Sequence, residues 1–330
     1  MKYNYVYFGN SADFMRIPFS DLDKVSWAKY LCKRIDTDSK ILTKLYQLHT
    51  SPKTNRFFRL PGQGVWNRMM FRGTFPEKKP LCFVFYPWSR YLQNGAIEYL
   101  RKKYPDCKIA VVFQDLISVL FRDYPQYMYP GGIKALLNEV DIALSFDHAE
   151  AKEYGMHYYP LVYSHYDVPE DDSIPESDVY FVGKAKDRLP EILTAFEKFR
   201  AAGLKCDFYL TGVKPEDQKY KDEITYGTQM PYVENLKHIK KTKCLLEIMQ
   251  GGGRGYTLRF DEVIMYDKKL ITNNPEICEA PFFHPDRISV FEKAEDLDAD
   301  FVLREPIVAD YGWKENLSPI KMLEYIDERI

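Results

Sequence analysis

Short apolar runs alternate with longer amphipathic stretches along the whole chain, and no other feature limits its fold as strongly. An apolar run followed by a helical stretch is the sequence form of a βαβ unit, whose parallel strands are buried on both faces. In the first half, strands are predicted at 5–8, 81–86, 109–113 and 142–146, and helices over 21–34, 40–49, 90–103 and 132–139. In the second half, strands are predicted at 179–182, 208–210, 244–248, 270–272 and 288–291. Pro190 opens a helix with Leu189, Ile192, Leu193, Phe196 and Phe199 as its apolar set, and a final helix over 319–329 presents Met322, Leu323 and Ile326 on one side.

The rhythm breaks once, at 167–177, where DVPEDDSIPES combines two prolines with acids and serines and reads as a linker. A chain of 330 residues is too long for one ordinary core. The expected architecture is therefore α/β: two Rossmann-like α/β/α domains at 1–166 and 178–318, joined by 167–177, with a C-terminal helix at 319–330. Two such domains would face each other across a cleft at the carboxyl ends of their sheets, where ligands of this class bind.

Charge is unevenly placed. Residues 1–109 hold 20 Lys/Arg against 8 Asp/Glu, although the whole chain carries −2. Residues 39–76 contain no acid, and their basic residues, Arg56, Arg59, Arg68 and Arg72 among them, alternate with aromatic and sulfur side chains such as Trp66. Such a pattern suits an anionic membrane surface or acceptor, with a basic face over core aromatics as the plainer alternative. No RNP, zinc-finger or helix-turn-helix signature points to nucleic acid. No window approaches the ~18 consecutive apolar residues of a membrane span, and the N-terminus lacks a secretory signal. The chain is expected in the cytoplasm, peripheral on the inner face of the cell membrane. Its six cysteines show no metal-ligand spacing and read as reduced, mostly buried thiols.

The most informative stretch runs from 243 to 274. A buried strand leads into GGGRG, with Gly251, Gly252, Gly253 and Gly255 around Arg254, then a helix from about Thr257 and another strand. Glycines at a helix start let backbone amides approach an anion, which the helix dipole also favours. Arg254 and Arg259 add fixed charge, so a diphosphate is the natural ligand. Neither a Walker loop nor GxGxxG is present. Glu262, between one and two turns into the helix, can take both ribose hydroxyls of a nucleotide held at the helix start.

GGGRGYTLRFDEVIMYDKKLIT resembles the C-terminal-domain signature of GT-B glycosyltransferases, which use nucleotide-sugar donors. Gly255, Tyr256 and Leu258 match the family's loop, Glu262 matches the second acid of its Glu-x7-Glu motif, and 270–272 match the following strand. The position of the first acid is held by Arg254, so that contact to the donor sugar is not carried over. FVGKAKDRLPEILTAF is similar to the family's strand-Gly-Arg/Lys segment, which implies Gly183 and Lys184 at the donor diphosphate, with Lys186 and Arg188 beside them. FYLTG, ending at Thr211 and Gly212, looks like the strand on the nucleobase side. The whole chain also resembles bacterial surface-polysaccharide and lipopolysaccharide glycosyltransferases through FQD at 113–115, SFD at 145–147 and YGMHYYPLVYS at 154–164.

The resemblance implies sugar transfer from a nucleotide-sugar donor, bound by the C-terminal domain, to a glycan or lipid-linked acceptor on the N-terminal domain. The resemblance implies neither cofactor nor metal. An acceptor base is sought at the strand ends: Asp115 first, His148 second, with Asp13 and Asp147 also in place and Asp147 equally a helix N-cap. Two other readings stand beside transfer: a nucleotide-sugar epimerase on the same architecture, and a catalytically silent nucleotide-sugar-binding partner of another transferase.

Overall fold

A computed structural model describes the chain except for residues 33, 34, 36, 52–61, 63, 73–78, 88, 89, 93, 94, 124–128 and 251–254. Two compact units emerge, one of Met1–Ser164 with Ser318–Ile330 and one of His165–Leu317. The segment 167–177 counts with the second unit and the final helix with the first.

The first unit is built on six parallel strands: β1 (Asn4–Phe8), β2 (Ala28–Leu31), β3 (Leu81–Phe85), β4 (Lys108–Phe113), β5 (Ile142–Ser145) and β6 (His157–Tyr158). Their order across the sheet is β2-β1-β3-β4-β5-β6. Alternation along the strands divides the core. Val6, Phe8, Phe83, Phe85, Val111 and Phe113 face one helical layer, while Tyr5, Tyr7, Cys82, Val84 and Val112 face the other. Both faces are covered, which is why the strands read as unbroken apolar runs.

Among the described residues the helices of this unit are α1 (Asp13–Arg16), α2 (Lys40–His49), α3 (Val65–Met70), α4 (Ala96–Lys103), α5 (Ile117–Asp123), α6 (Gly132–Glu139), α7 (His148–Tyr154) and, from the chain's end, α11 (Pro319–Arg329). The helix predicted over 21–34 is replaced by a 3-10 turn at Ile17–Lys24 and by β2. Ala28 and Tyr30 are buried and Lys29 is exposed, a period of two that pairs Ala28 with Tyr5 and Tyr30 with Tyr7.

Helix α11 packs Met322, Leu323 and Ile326 against the β1 side of the core. Its Asp327 receives the Lys2 amide at 2.8 and 2.9 Å, the Tyr3 amide at 3.3 Å and the Tyr5 hydroxyl at 3.0 Å, satisfying the start of the chain from its end. Asp327→Ala strands these donors and is expected to cost about 1–3 kcal/mol in chemical denaturation. Glu328→Ala, at an exposed position, should leave the midpoint unchanged.

The second unit repeats the plan with β7 (Ser177–Lys184), β8 (Cys206–Thr211), β9 (Ile224–Gly227), β10 (Thr242–Glu247), β11 (Lys269–Thr272) and β12 (Ile288–Val290), all parallel. The order β12-β11-β10-β7-β8-β9 makes β7 and β10 neighbours, with the chain progressing outward on either side. Its helices are α8 (Leu189–Ala201), α9 (Tyr232–Lys241) and α10 (Leu258–Met265).

Candidate functional site

The β7/β10 boundary is where strand order reverses, and in an open parallel sheet the carboxyl ends at such a point form a ligand crevice. Gly183, next to last in β7, lies close to Arg188: a Cβ on Gly183 would lie 3.2 Å from the Arg188 guanidinium. That guanidinium donates to the carbonyls of Lys184, at 3.0 Å, and Ile248, so it ties the end of β7 to the residue after β10. Among the described residues no carboxylate lies within ion-pair distance of it and its buried Nε has no partner; burial pulls its pKa below the ordinary arginine value, partly offset by the charges of Asp187, Glu247 and Glu191. Arg188 also lines an open cavity of about 410 Å³ with Glu191, Met249, Gln250, Asn273 and Glu292.

Beside it, the stem of Lys184 lies over Gly212, whose φ of +71° favours glycine and whose Cβ, if present, would lie 3.1 Å from the Lys184 Cε. Lys184 pairs in register with Thr211, so Gly183, Lys184, Arg188, Thr211 and Gly212 come together at the carboxyl ends of β7 and β8. Lys186 joins them through a 2.7 Å bond from its ammonium to Gln250.

Gly253 and Arg254 lie outside the described residues. After them, Gly255 adopts φ +71°, its amide donates to Glu276 at 3.0 Å and its carbonyl accepts from Asn274 at 2.9 Å. This amide, expected to meet a phosphate, is held by a carboxylate oxygen instead. Thr257 caps α10 by accepting from the Arg259 amide, and its hydroxyl donates to Glu247 at the end of β10. Glu247 is buried and also accepts from Thr272 at 2.6 Å; burial raises its carboxyl pKa while the two hydroxyls hold it down. Tyr256 packs edge-on against Phe260 and Phe282 and belongs to an aromatic cluster.

Two assignments need correction. The carboxylate of Glu262 is 1% exposed and accepts from Tyr232 at 2.8 Å, from Asn235 at 3.1 Å and from Arg259. Arg259 itself donates to the Val182 carbonyl at 3.1 Å. The inner face of α10 carries both residues into the helix–sheet contact, so Glu262 has no open side for a ribose and Arg259 is spent on an internal pair.

In the first unit Asp115 follows β4 and receives the hydroxyl of Tyr86, which follows β3. Crowding by the protein raises the Asp115 pKa, partly offset by the Tyr86 bond, although the side chain still reaches solvent. Asp147 is the N-cap of α7, accepting from the Glu150 amide at 2.7 Å, and His148 stacks on Tyr158. Glu150 reaches the Ile117 amide at 2.8 and 3.0 Å, so the loops after β4 and β5 are tied together. Sequence alone missed Tyr86, whose only signal is a polar tip closing an apolar strand.

Arg56 and Arg59 lie outside the described residues, whereas Arg68 and Arg72 are exposed. Trp66 is not a surface anchor: it is 7% exposed, donates its indole N–H to His49 at 2.8 Å and meets Tyr46 edge-on. Helix α3 turns its aromatic and sulfur side chains into the core and leaves its arginine outside.

No protein-family model and no curated protein matches the sequence. Among solved structures, the chain is similar to a UDP-forming α,α-trehalose-phosphate synthase from Burkholderia vietnamiensis, at 12% identity and TM-score 0.51, over 98% of this chain and 96% of that one. It is also similar to the glycotransferase of kitacinnamycin, at 10% identity and TM-score 0.48 over 100% of both chains. A UDP-GlcNAc 2-epimerase from Methanocaldococcus jannaschii aligns at 13% identity and TM-score 0.44, over 98% of this chain and 100% of its own. The fold is the pair of Rossmann-like domains of GT-B proteins.

Proposed function

We propose that the chain is a glycosyltransferase that moves a sugar from a nucleotide-sugar donor to a glycan or lipid-linked acceptor, in bacterial surface-polysaccharide synthesis at the inner face of the membrane. The observation that carries this reading is Arg188, a cation with no ion-pair partner among the described residues, fixed by two backbone carbonyls at the switch point of the second unit. Transfer breaks the bond between the sugar's anomeric carbon and the donor phosphate, forms one to an acceptor oxygen, and releases the acceptor proton. Arg188 and Lys184 neutralise the leaving diphosphate, with Arg254 as a third cation. Thr211 and Gly212 border the nucleoside, and Asp115 takes the proton.

Calorimetric titration with UDP, GDP and CMP tests the donor site. One nucleoside diphosphate is expected to bind, with affinity falling about tenfold to a hundredfold in Arg188→Ala and partly recovered in Arg188→Lys, because charge-assisted bonds are worth roughly 1.5–3 kcal/mol. Absence of binding at millimolar nucleotide would sink the reading. Interconversion of a sugar nucleotide without acceptor would identify epimerase chemistry, and donor binding without transfer a silent partner.

A further inference from the structure

We propose that the outward face of α2 is the surface by which the first unit docks on an anionic lipid bilayer. Ile41, Leu45 and Leu48 are 72%, 49% and 55% exposed, and their spacing stacks them into one stripe along the helix. Tyr46 alone is fully buried from this helix, so α2 sits on the core by one side and presents aliphatic side chains on the other. Lys40 and Lys44 border the stripe; both are exposed, and neither has a carboxylate partner among the described residues. A helix that lies in a membrane interface has this composition, with an apolar face at acyl-chain depth and lysines at the level of the head groups.

Charge decides the occupant. Helix α2 carries Lys40 and Lys44 and no Asp/Glu, so two copies meeting through this face would bring like charges together, whereas anionic head groups complement it. Trp66, the expected anchor, is in the core, and the stripe on α2 supplies the apolar contact that Trp66 does not. The proposal deepens the lipid-linked side of the proposed function and rests on it only for why a bilayer is nearby. Vesicle binding needs no donor or acceptor, so failure of docking and failure of transfer are separate results.

The test is co-sedimentation of the full chain with phosphatidylcholine vesicles containing phosphatidylglycerol, against phosphatidylcholine alone. Binding only to the anionic vesicles, weakening as salt is raised, is expected. Combined Ile41→Ser, Leu45→Ser and Leu48→Ser should lower partitioning by roughly tenfold or more. Lys40→Ala with Lys44→Ala should lower it by about thirtyfold, at ~1 kcal/mol per lysine. Lys134→Ala with Lys152→Ala, elsewhere on the same unit, should leave it unchanged. Thermal melts matching the wild type show that the exposed substitutions spare the fold. Equal sedimentation with both vesicle types, or a triple variant that binds like the wild type, overturns the proposal. So does a concentration-dependent dimer that the triple variant loses, which would make a second copy the occupant.

Discussion

Glu262→Ala is expected to destabilise the second unit by about 3 kcal/mol in urea denaturation, because it leaves the largely buried Arg259 guanidinium without its counter-charge. The pair is enclosed by α9, α10 and β7. Tyr232 and Asn235 bond to the carboxylate from α9, and the Tyr180 hydroxyl reaches Asn235 at 3.1 Å from β7. Asp261 cannot take over, since burial pushes its carboxyl well above the ordinary range and Oδ2 has no partner. Removing both charges, as in Glu262→Leu with Arg259→Met, should be less damaging than the single change, since no unpaired ion remains. A ribose-binding role predicts the reverse pattern: unchanged stability in Glu262→Ala with loss of nucleotide affinity. Denaturation and titration on the same variant separate the two.

Burial explains how much of this was readable from sequence. Strands such as β3, β4 and β10 are covered on both faces, so each appears as an apolar run that hardly admits another reading. Strand β2 lies at the sheet edge and alternates Ala28, Lys29, Tyr30, and a helix looks as plausible there until β1 is seen beside it. In the site, Gly183 and Gly212 were legible because glycine at a strand end signals close approach or a left-handed turn, and both occur. The partners were not. An acid in an amphipathic helix does not reveal which side of the helix is covered, so Glu262 reads as a ligand contact from sequence and becomes a buried ion pair in three dimensions. Arg188 reads as one basic residue among several, and its special position comes from two carbonyls at the ends of different strands, 4 and 60 residues away. Tyr86 and Asp115 are 29 residues apart and meet only because β3 and β4 are adjacent.

The Tyr86–Asp115 contact also shapes the pH dependence of the proposed transfer. A base must be ionised to accept the acceptor's proton, so activity falls as pH drops through the Asp115 pKa. Crowding raises that pKa above the ordinary aspartate value, and the Tyr86 hydroxyl, which bonds to the ionised form, lowers it again. Asp115→Asn should therefore reduce kcat by about 10²–10⁴ while leaving nucleotide affinity intact, because the donor residues lie on the second unit. Tyr86→Phe removes the bond that favours the carboxylate but keeps the ring, so the acidic limb of the rate profile should move to higher pH with activity retained on the alkaline side. An Asp115 that only braces its loop would lose stability in Asp115→Asn, and Tyr86→Phe would then lower activity equally at every pH. The same substitutions at His148, whose ring stacks on Tyr158, carry the competing assignment. If the Asp115→Asn enzyme turns over normally and His148→Gln does not, the proton goes to the imidazole, and the shared position of the β4 and β5 loops, joined through Glu150, explains how either group can serve the acceptor.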